Sequence, residues 1–205
     1  ASNSIDLIDI LPYSGDGRTP ATNFSGTVVF ESVSGSNGEV FYYTKNSSSA
    51  IQPDPNDPSN QAGGSTSWGL NFTSGGMFPA SAAEVSGVRI KSTSSMPAGA
   101  TRTLTLVLQT SANAAANTYT NRFSGRAQEF SLLVNSNSVS VSVAIDISGT
   151  IFANPNGNAV KDAGEAGFGG VTVRLLDGAN NVLATTSTNS SGDYRFSNLY
   201  PGAFR

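Results

Sequence analysis

The residues best placed to do chemistry lie in one stretch of twelve, Asn154 to Glu165. Counted from Asn154, oxygen-bearing side chains fall at positions 1, 3, 5, 9 and 12, which are Asn154, Asn156, Asn158, Asp162 and Glu165. Val160, at position 7, offers a backbone carbonyl. This is the ligand spacing of a calcium loop: alternate residues of a curling backbone point inward, and a final Glu closes the shell with two oxygens. Calcium accepts neutral amide carbonyls at flexible geometry. Two positions depart from the pattern: position 1, normally Asp, is Asn154, and position 6, normally Gly, is Ala159. With only Asp162 and Glu165 bringing charge, the expected affinity is weak, about 10⁻⁴–10⁻³ M, as in extracellular modules. No flanking helix pair is evident, which favours a structural clip over a switching sensor. Asn and Gly also favour turns without any ion, but a Glu at position 12 is not something a turn requires.

Composition removes most other chemistry. The 205 residues include no His and no Cys, so there is no Ser-His-Asp triad, cysteine nucleophile, zinc finger or disulfide scaffold. Lys and Arg number 11 against 14 Asp and Glu, without a basic cluster, which argues against a nucleic-acid partner. Paired carboxylates could hydrolyse glycosides without His, yet Asp6, Asp9, Asp16, Glu31 and Glu39 show no convergent arrangement, and no enzyme is expected. The alternative function is a carbohydrate-binding module, with Tyr13, Phe41, Tyr42, Tyr43, Trp68, Phe72 and Phe78 as a sugar-stacking platform; strand aromatics more often fill a core. Apolar runs such as Leu104–Leu108 fall far short of the roughly 20 residues of a spanning helix, so no membrane insertion is expected. Ala1–Ser4 show no basic n-region or apolar h-region, so any export signal is expected to lie upstream or to have been removed. Absence of Cys does not decide the compartment.

The elements that must position the loop are strands. Apolar periodicity is two nearly throughout. Thr27–Val33 and Glu39–Thr44, joined by Ser34-Gly35-Ser36-Asn37-Gly38, read as a hairpin. Arg102–Gln109 puts Leu104, Leu106 and Leu108 on one face, and Ser138–Ile147 puts Val139, Val141, Val143, Ile145 and Ile147 inward. Further strands are expected at Ser67–Phe72, Val85–Lys91, Thr118–Arg126, Val171–Asp177, Val182–Thr188 and Asp193–Phe196. Strands at regular spacing with Gly, Asn and Ser turns imply an all-β chain of sandwiches. The Pro- and Ser-rich segment 46–67 reads as a long surface loop, an ordered connection whose Asp54 and Asp57 are cation candidates. A break near residue 144 divides the chain into domains 1–143 and 144–205, joined by a short apolar linker that restricts rotation.

From Ile147 to Phe204 the chain resembles the calcium-binding B-type repeat of serine-aspartate-repeat surface adhesins of Gram-positive bacteria. The resemblance runs through Gly149-x-Ile151-Phe152, Asn154-x-Asn156-Gly157-Asn158, Asp162-x-Gly164-Glu165-x-Gly167 and Gly170-Val171-Thr172-Val173. It continues in Leu175-Leu176-Asp177, Ala184–Thr188, Gly192–Phe196 and Leu199-Tyr200-Pro201-Gly202. It implies a prealbumin-like sandwich, related to the collagen-adhesin B-type domain, acting as a calcium-braced stalk on the bacterial cell surface. Residues 5–143 resemble the Ig-like domains preceding such repeats, through Ile8–Tyr13, Tyr119–Phe123 and Ser138–Val141. The implied architecture is therefore two tandem Ig-like or prealbumin-like β-sandwiches in an extracellular protein; the first-domain match implies architecture and not a ligand, and a host or glycan ligand stays an open partner. Collagen-adhesin relatives often carry a Lys–Asn isopeptide bond. Strand Ile145–Phe152 has no Lys and Lys161 sits in the loop, which argues against a bond there, while Lys45 and Lys91 have no partner Asn assignable from position.

The family pattern runs on past Pro201-Gly202 with another apolar strand, where this sequence has Ala203-Phe204-Arg205. The last strand of the second sandwich therefore reads as missing, leaving an edge that a strand of an identical chain could fill. Ile5–Ile10 is a candidate donor and a filament the candidate product; truncation of a longer stalk is the favoured expectation.

Overall fold

β-Branched and aromatic residues in alternation give strands, and long-range partners decide which strands pair. The computed structural model describes residues 4–92, 94, 97, 99–127, 132–200 and 202–205, in two units, Ala1–Val141 and Ser142–Arg205. The first contains β1 (Ile5–Ile10), β2 (Thr27–Gly35), β3 (Val40–Thr44), β4 (Gly87–Ser92) and β5 (Leu104–Ser111). It also contains β6 (Thr118–Asn121), β7 (Phe123–Ala127), β8 (Val134–Asn135) and β9 (Val139–Ser142), which ends at the unit boundary. The second contains β10 (Ile145–Thr150), β11 (Thr172–Leu176), β12 (Val182–Ser187) and β13 (Asp193–Leu199). The fold is all-β, built as β-sandwich layers; the described helical pieces are single 3₁₀ turns such as Pro58–Asn60.

In the first unit a five-stranded sheet runs β3-β4-β1-β7-β8, and β2 pairs with β5 in a second layer. Between them lies the core of Leu11, Phe30, Val85, Val88 and Ile90, flanked by Leu104, Leu106 and Leu108 from β5. Phe30 of β2 and Tyr43 of β3 meet across it with ring centroids 5.5 Å apart.

The other face of the large sheet carries charge. Cross-strand register places Asp6 beside Lys91 and Arg126, and Ile8 beside Arg89 and Ser124. Segment 46–67 folds over this face, burying Ile51, Asn60 and Thr66. Arg89 ties it down. The guanidinium, in a residue only 4% exposed, grips Asp6 at 2.8 and 2.7 Å and donates to the carbonyls of Asn60 at 2.5 Å and Pro55 at 3.1 Å. A second fork joins Arg126 to Asp54 of the loop at 2.7 and 2.6 Å. Desolvating such a charge costs several kcal/mol, offset here because a bidentate carboxylate and two carbonyls replace the lost water.

Several sequence expectations change. Thr27–Gly35 and Val40–Thr44 are not a hairpin: they pair with Leu104–Ser111 and Gly87–Ser92. The intervening turn carries the chain between layers, so Phe30 and Tyr43 face one core from opposite sides. Ser67–Phe72 forms no strand beyond a bridge from Gly69 to Tyr43, at a glycine where Phe78 packs in the place of a Cβ. The expected strand Ser138–Ile147 breaks at Val143–Ala144, and Val139 and Val141 point outward, 61% and 65% exposed, in a strand β9 that among the described strands pairs with β6 alone. Ile5–Ile10 is no loose donor. It is the central strand, hydrogen-bonded to β4 on one edge and β7 on the other.

Asp9, buried on β1, accepts from the Asn121 amide at 2.9 Å, while its Oδ1 has no partner. Burial pushes its carboxyl up to about 7, against the lowering effects of the Asn121 bond and the Arg18 charge.

In the second unit β10 pairs with β13 and β11 with β12, around buried Leu175 and Phe196. Phe204 bridges Asp177, and Arg205 exchanges two backbone bonds with Leu176 at 2.8 and 3.0 Å, so the outer edge of β11 is partly paired.

Arg89→Met is expected to destabilise the first unit by roughly 3–5 kcal/mol, because Asp6 and two loop carbonyls lose their partner; urea unfolding measures it. For Asp9, the unfolded carboxyl ionises near pH 4 and the folded one near pH 7. Its stabilising contribution is therefore full below pH 4 and is lost as pH rises to 7, at up to ~1.4 kcal/mol per pH unit. Asp9→Asn should remove that slope, read as the difference between wild-type and variant unfolding curves across the window.

Candidate metal centre

The loop 154–165 stands on a stem formed where β10 ends. Ala153 donates to the Ala166 carbonyl at 2.9 Å, Phe152 bridges Gly167, and Phe168 donates to the Ile151 carbonyl at 2.9 Å. A Cβ on Gly167 would lie 1.9 Å from the Ser191 carbonyl oxygen, so only glycine allows this approach. Within the loop, Gly157 donates to the Asn154 carbonyl at 3.3 Å. Ala159 takes a left-handed φ of 58°, the backbone the calcium pattern needs at position 6, at a cost of about 1–2 kcal/mol.

Side chains then close on Asp162. The amides of Asn156 and Asn158 each donate to Asp162 Oδ2 at 2.8 Å, and these two bonds hold its carboxyl below the ordinary carboxylate range. Their oxygens make successive Asx turns: Asn156 Oδ1 accepts from the Asn158 N–H at 3.1 Å, and Asn158 Oδ1 from the Val160 N–H at 2.8 Å. Glu165 Oε2 accepts from the Asp162 N–H at 3.0 Å. Glu165 Oε1 is buried and has no hydrogen-bond partner. An orphaned carboxylate oxygen is costly, and a cation is the natural answer to it.

Asn156, Asn158, Asp162 and Glu165 are thus brought into one network. Asn154 joins only through its carbonyl and Val160 only through its N–H; the Asn154 amide and Val160 carbonyl bond no described residue. Among the described residues no group of three or more acids, His or Cys assembles, so any ion here would rest on two carboxylates plus amide and backbone oxygens.

Sequence reasoning missed the clamp that holds this loop. Lys161 donates to the Ser191 carbonyl at 3.1 Å, in the turn between β12 and β13. Asn189 Oδ1 organises that turn by accepting from the N–H groups of Ser191 and Asp193, both at 2.9 Å. Asp193 accepts from Thr150 Oγ1 at 2.6 Å, which lowers its carboxyl below the ordinary range. The signal was the glycine of Asp162-x-Gly164-Glu165-x-Gly167, a close-approach position with no side chain to read.

Other candidates are spent or dispersed. Asp54 is forked with Arg126, and Asp57 caps a 3₁₀ turn through Ser59, at 2.9 Å to its N–H and 2.7 Å to its hydroxyl. Lys45 pairs with Glu84 at 3.3 Å and Lys91 with Asp6 at 3.6 Å, and among the described residues neither hydrogen-bonds an Asn side chain. Of the sugar-platform aromatics, Phe41 and Tyr43 pack on the core, Phe72 lies tilted against Tyr43, and Tyr13 lines a separate small cavity. Tyr42, Trp68 and Phe78 share one cleft.

Residues 145–205 match the family described as the SdrD B-like domain. The chain is 44% identical over 54 residues to serine-aspartate repeat-containing protein I of Staphylococcus saprophyticus, covering 26% of this chain and 3% of that protein. It is 38% identical over 55 residues to serine-aspartate repeat-containing protein D of Staphylococcus aureus strain Newman, covering 27% of this chain and 4% of that protein. Colossin-A of Dictyostelium discoideum is 43% identical over 54 residues, 26% of this chain and a negligible share of its own length. The chain therefore spans less than a twentieth of these relatives. Among solved structures, the major pilin subunit of Bacillus cereus, BcpA*(D312A), aligns over 99% of this chain and 47% of that one at 10% identity and a TM-score of 0.28, too low to bear on the fold.

Gly167→Ala should force Ser191 away from the stem and destabilise the second unit by roughly 1–3 kcal/mol, the cost of overpacking. Calorimetry of the full chain would show one transition lowered and the other unmoved.

Proposed function

We propose, on the premise that residues 145–205 are a B-type repeat domain of serine-aspartate-repeat proteins, that this chain is a structural stalk module of a bacterial cell-surface adhesin. In this reading the module is extracellular and non-catalytic, and calcium stiffens its second unit. The single observation that supports the metal is the buried, unpartnered Oε1 of Glu165, on the same loop whose Asn156 and Asn158 converge on Asp162. Asn154, Asn156, Asn158, Asp162 and Glu165, with the Val160 carbonyl, would hold the ion. Bound there, a divalent cation supplies cross-linking charge between the two ends of the loop. The Lys161–Ser191 contact passes any stiffening of the loop to the β12–β13 turn. Its partners are neighbouring domains of the same protein or identical chains; a filament built by strand exchange would need a donor other than Ile5–Ile10, which is already paired on both edges.

At ~10 mM Ca²⁺ the second unit should gain about 1–3 kcal/mol, the linkage expected for a dissociation constant of ~0.1–1 mM. Calorimetry of the full chain with Ca²⁺ and with excess chelator measures this, and Glu165→Gln should abolish the difference. Identical traces under both conditions would remove the ion from the account and leave a plain hydrogen-bonded loop.

A further inference from the structure

The first unit holds a cleft that the stalk reading does not use. Its volume is about 630 Å³, inside the range of about 300–1,000 Å³ common for ligand sites. The segment that Arg89 pins to the sheet makes one wall, presenting Gln61 and Trp68. Met77 and Phe78 make another, with Tyr42 and Lys91 also lining the cleft from the sheet.

Two features make this a built site. Trp68 is fixed, because its indole N–H donates to Asn60 Oδ1 at 3.2 Å. Asn60, 2% exposed, is itself held by donating to the carbonyls of Gln52 at 2.8 Å and Asp54 at 2.9 Å. Phe78 is fixed from below, since a Cβ on Gly69 would lie 2.6 Å from its ring. The aromatic walls therefore lose little freedom on binding, which is where preorganised sites gain affinity.

The charge selects the ligand. No carboxylate lines the cleft among the described residues, whereas Arg89 and Lys91 both do. Asp6 sits against both, at 2.7 Å from Arg89 and 3.6 Å from Lys91. One carboxylate shared by two cations leaves one positive charge in excess, in a chain whose net charge is -3. Arg89 spends four hydrogen bonds on Asp6 and two carbonyls and its side chain is 5% exposed, so the accessible charge is Lys91, whose side chain is 41% exposed and whose ammonium lies 5.7 Å from the Tyr42 ring centre. Aromatic walls, neutral hydrogen-bonding groups and one accessible ammonium suit a sugar ring that bears a carboxylate.

We infer that this cleft binds a carboxylated saccharide, with the ring against Trp68 and the carboxylate at Lys91. The cleft is lined by residues of the first unit, and the loop 154–165 belongs to the second. Trp68 is the sole tryptophan, so its fluorescence reports the cleft directly in the full chain. Titration with 3′-sialyllactose should give a saturable emission change, and lactose, its neutral counterpart, should bind about fivefold more weakly, as loss of one partly exposed ion pair implies. Lys91→Gln should lower sialyllactose binding by that factor and leave lactose unchanged, while Lys91→Arg retains binding; matching melting curves establish that both variants fold. No saturable change with sialyllactose overturns the site. Equal binding of both sugars, indifference to Lys91→Gln, or equal binding of a tri-glutamate peptide overturns the carboxylated-saccharide assignment.

Discussion

A buried guanidinium organises the first unit. Arg89 projects from β4 on the face away from the hydrophobic core, where a bare sheet surface would have left it in water. Instead segment 46–67 covers it, and the carbonyls of Asn60 and Pro55 complete the coordination that Asp6 begins. A loop rich in Pro and Ser has little apolar surface with which to hold itself down. What holds it is hydrogen bonding from its own main chain to the guanidinium donors that Asp6 leaves free, together with the Asp54–Arg126 fork and buried Ile51. The proline-rich sequence is suited to this task, because residues fixed at φ near −65° lose less entropy on ordering. The position of Trp68, and with it the cleft, follows from Asn60 being held in place.

The second unit orders its long loop by another route. Successive Asx turns at Asn156 and Asn158 fold the backbone while their amides point to Asp162, so each Asn serves the main chain and a carboxylate at once. The loop then leans on the β12–β13 turn through Lys161 and through the Gly167–Ser191 approach. Both units thus convert sequences with no secondary-structure signal into fixed shapes by pairing side chains with backbone groups, in keeping with a chain in which charged residues are only 12% of the total.

Much of this was legible beforehand where the information is local. The alternation of Leu104, Leu106 and Leu108 placed β5 correctly on the core, and the spacing of Asn156, Asn158, Asp162 and Glu165 located a loop whose side chains do converge. Pairing was not local. The turn-rich Ser34–Gly38 promised a hairpin, but β2 found β5 some seventy residues away in sequence, and β3 found β4. The Ile5–Ile10 strand looked like an available donor because its two neighbours, β4 and β7, lie far along the chain. Arg89 gave no sign of its role, since an arginine in an alternating strand reads as a solvated outward residue. Val139 and Val141 misled in the opposite sense: their alternation promises a buried face, yet nothing described covers it.

The substitution of Asn for Asp at the first position of the loop, with Asn also at the third and fifth, bears on how such a module works under load. Three or four carboxylates gathered in one loop repel one another until an ion arrives, so an acid-rich loop is ordered by its ligand. Here the amides of Asn156 and Asn158 satisfy Asp162 directly, and the loop has a defined fold from hydrogen bonds alone. For the proposed cation this exchanges affinity for preorganisation: fewer charges attract it, but little rearrangement beyond releasing two amide donors accompanies binding. Besides the left-handed backbone of Ala159, the loop leaves one atom, Glu165 Oε1, out of water without a donor. Under the proposed calcium reading, the hydrogen-bonded loop would keep its shape without the ion, and any gain on binding would fall at the junction of loop and stem, where Glu165 lies.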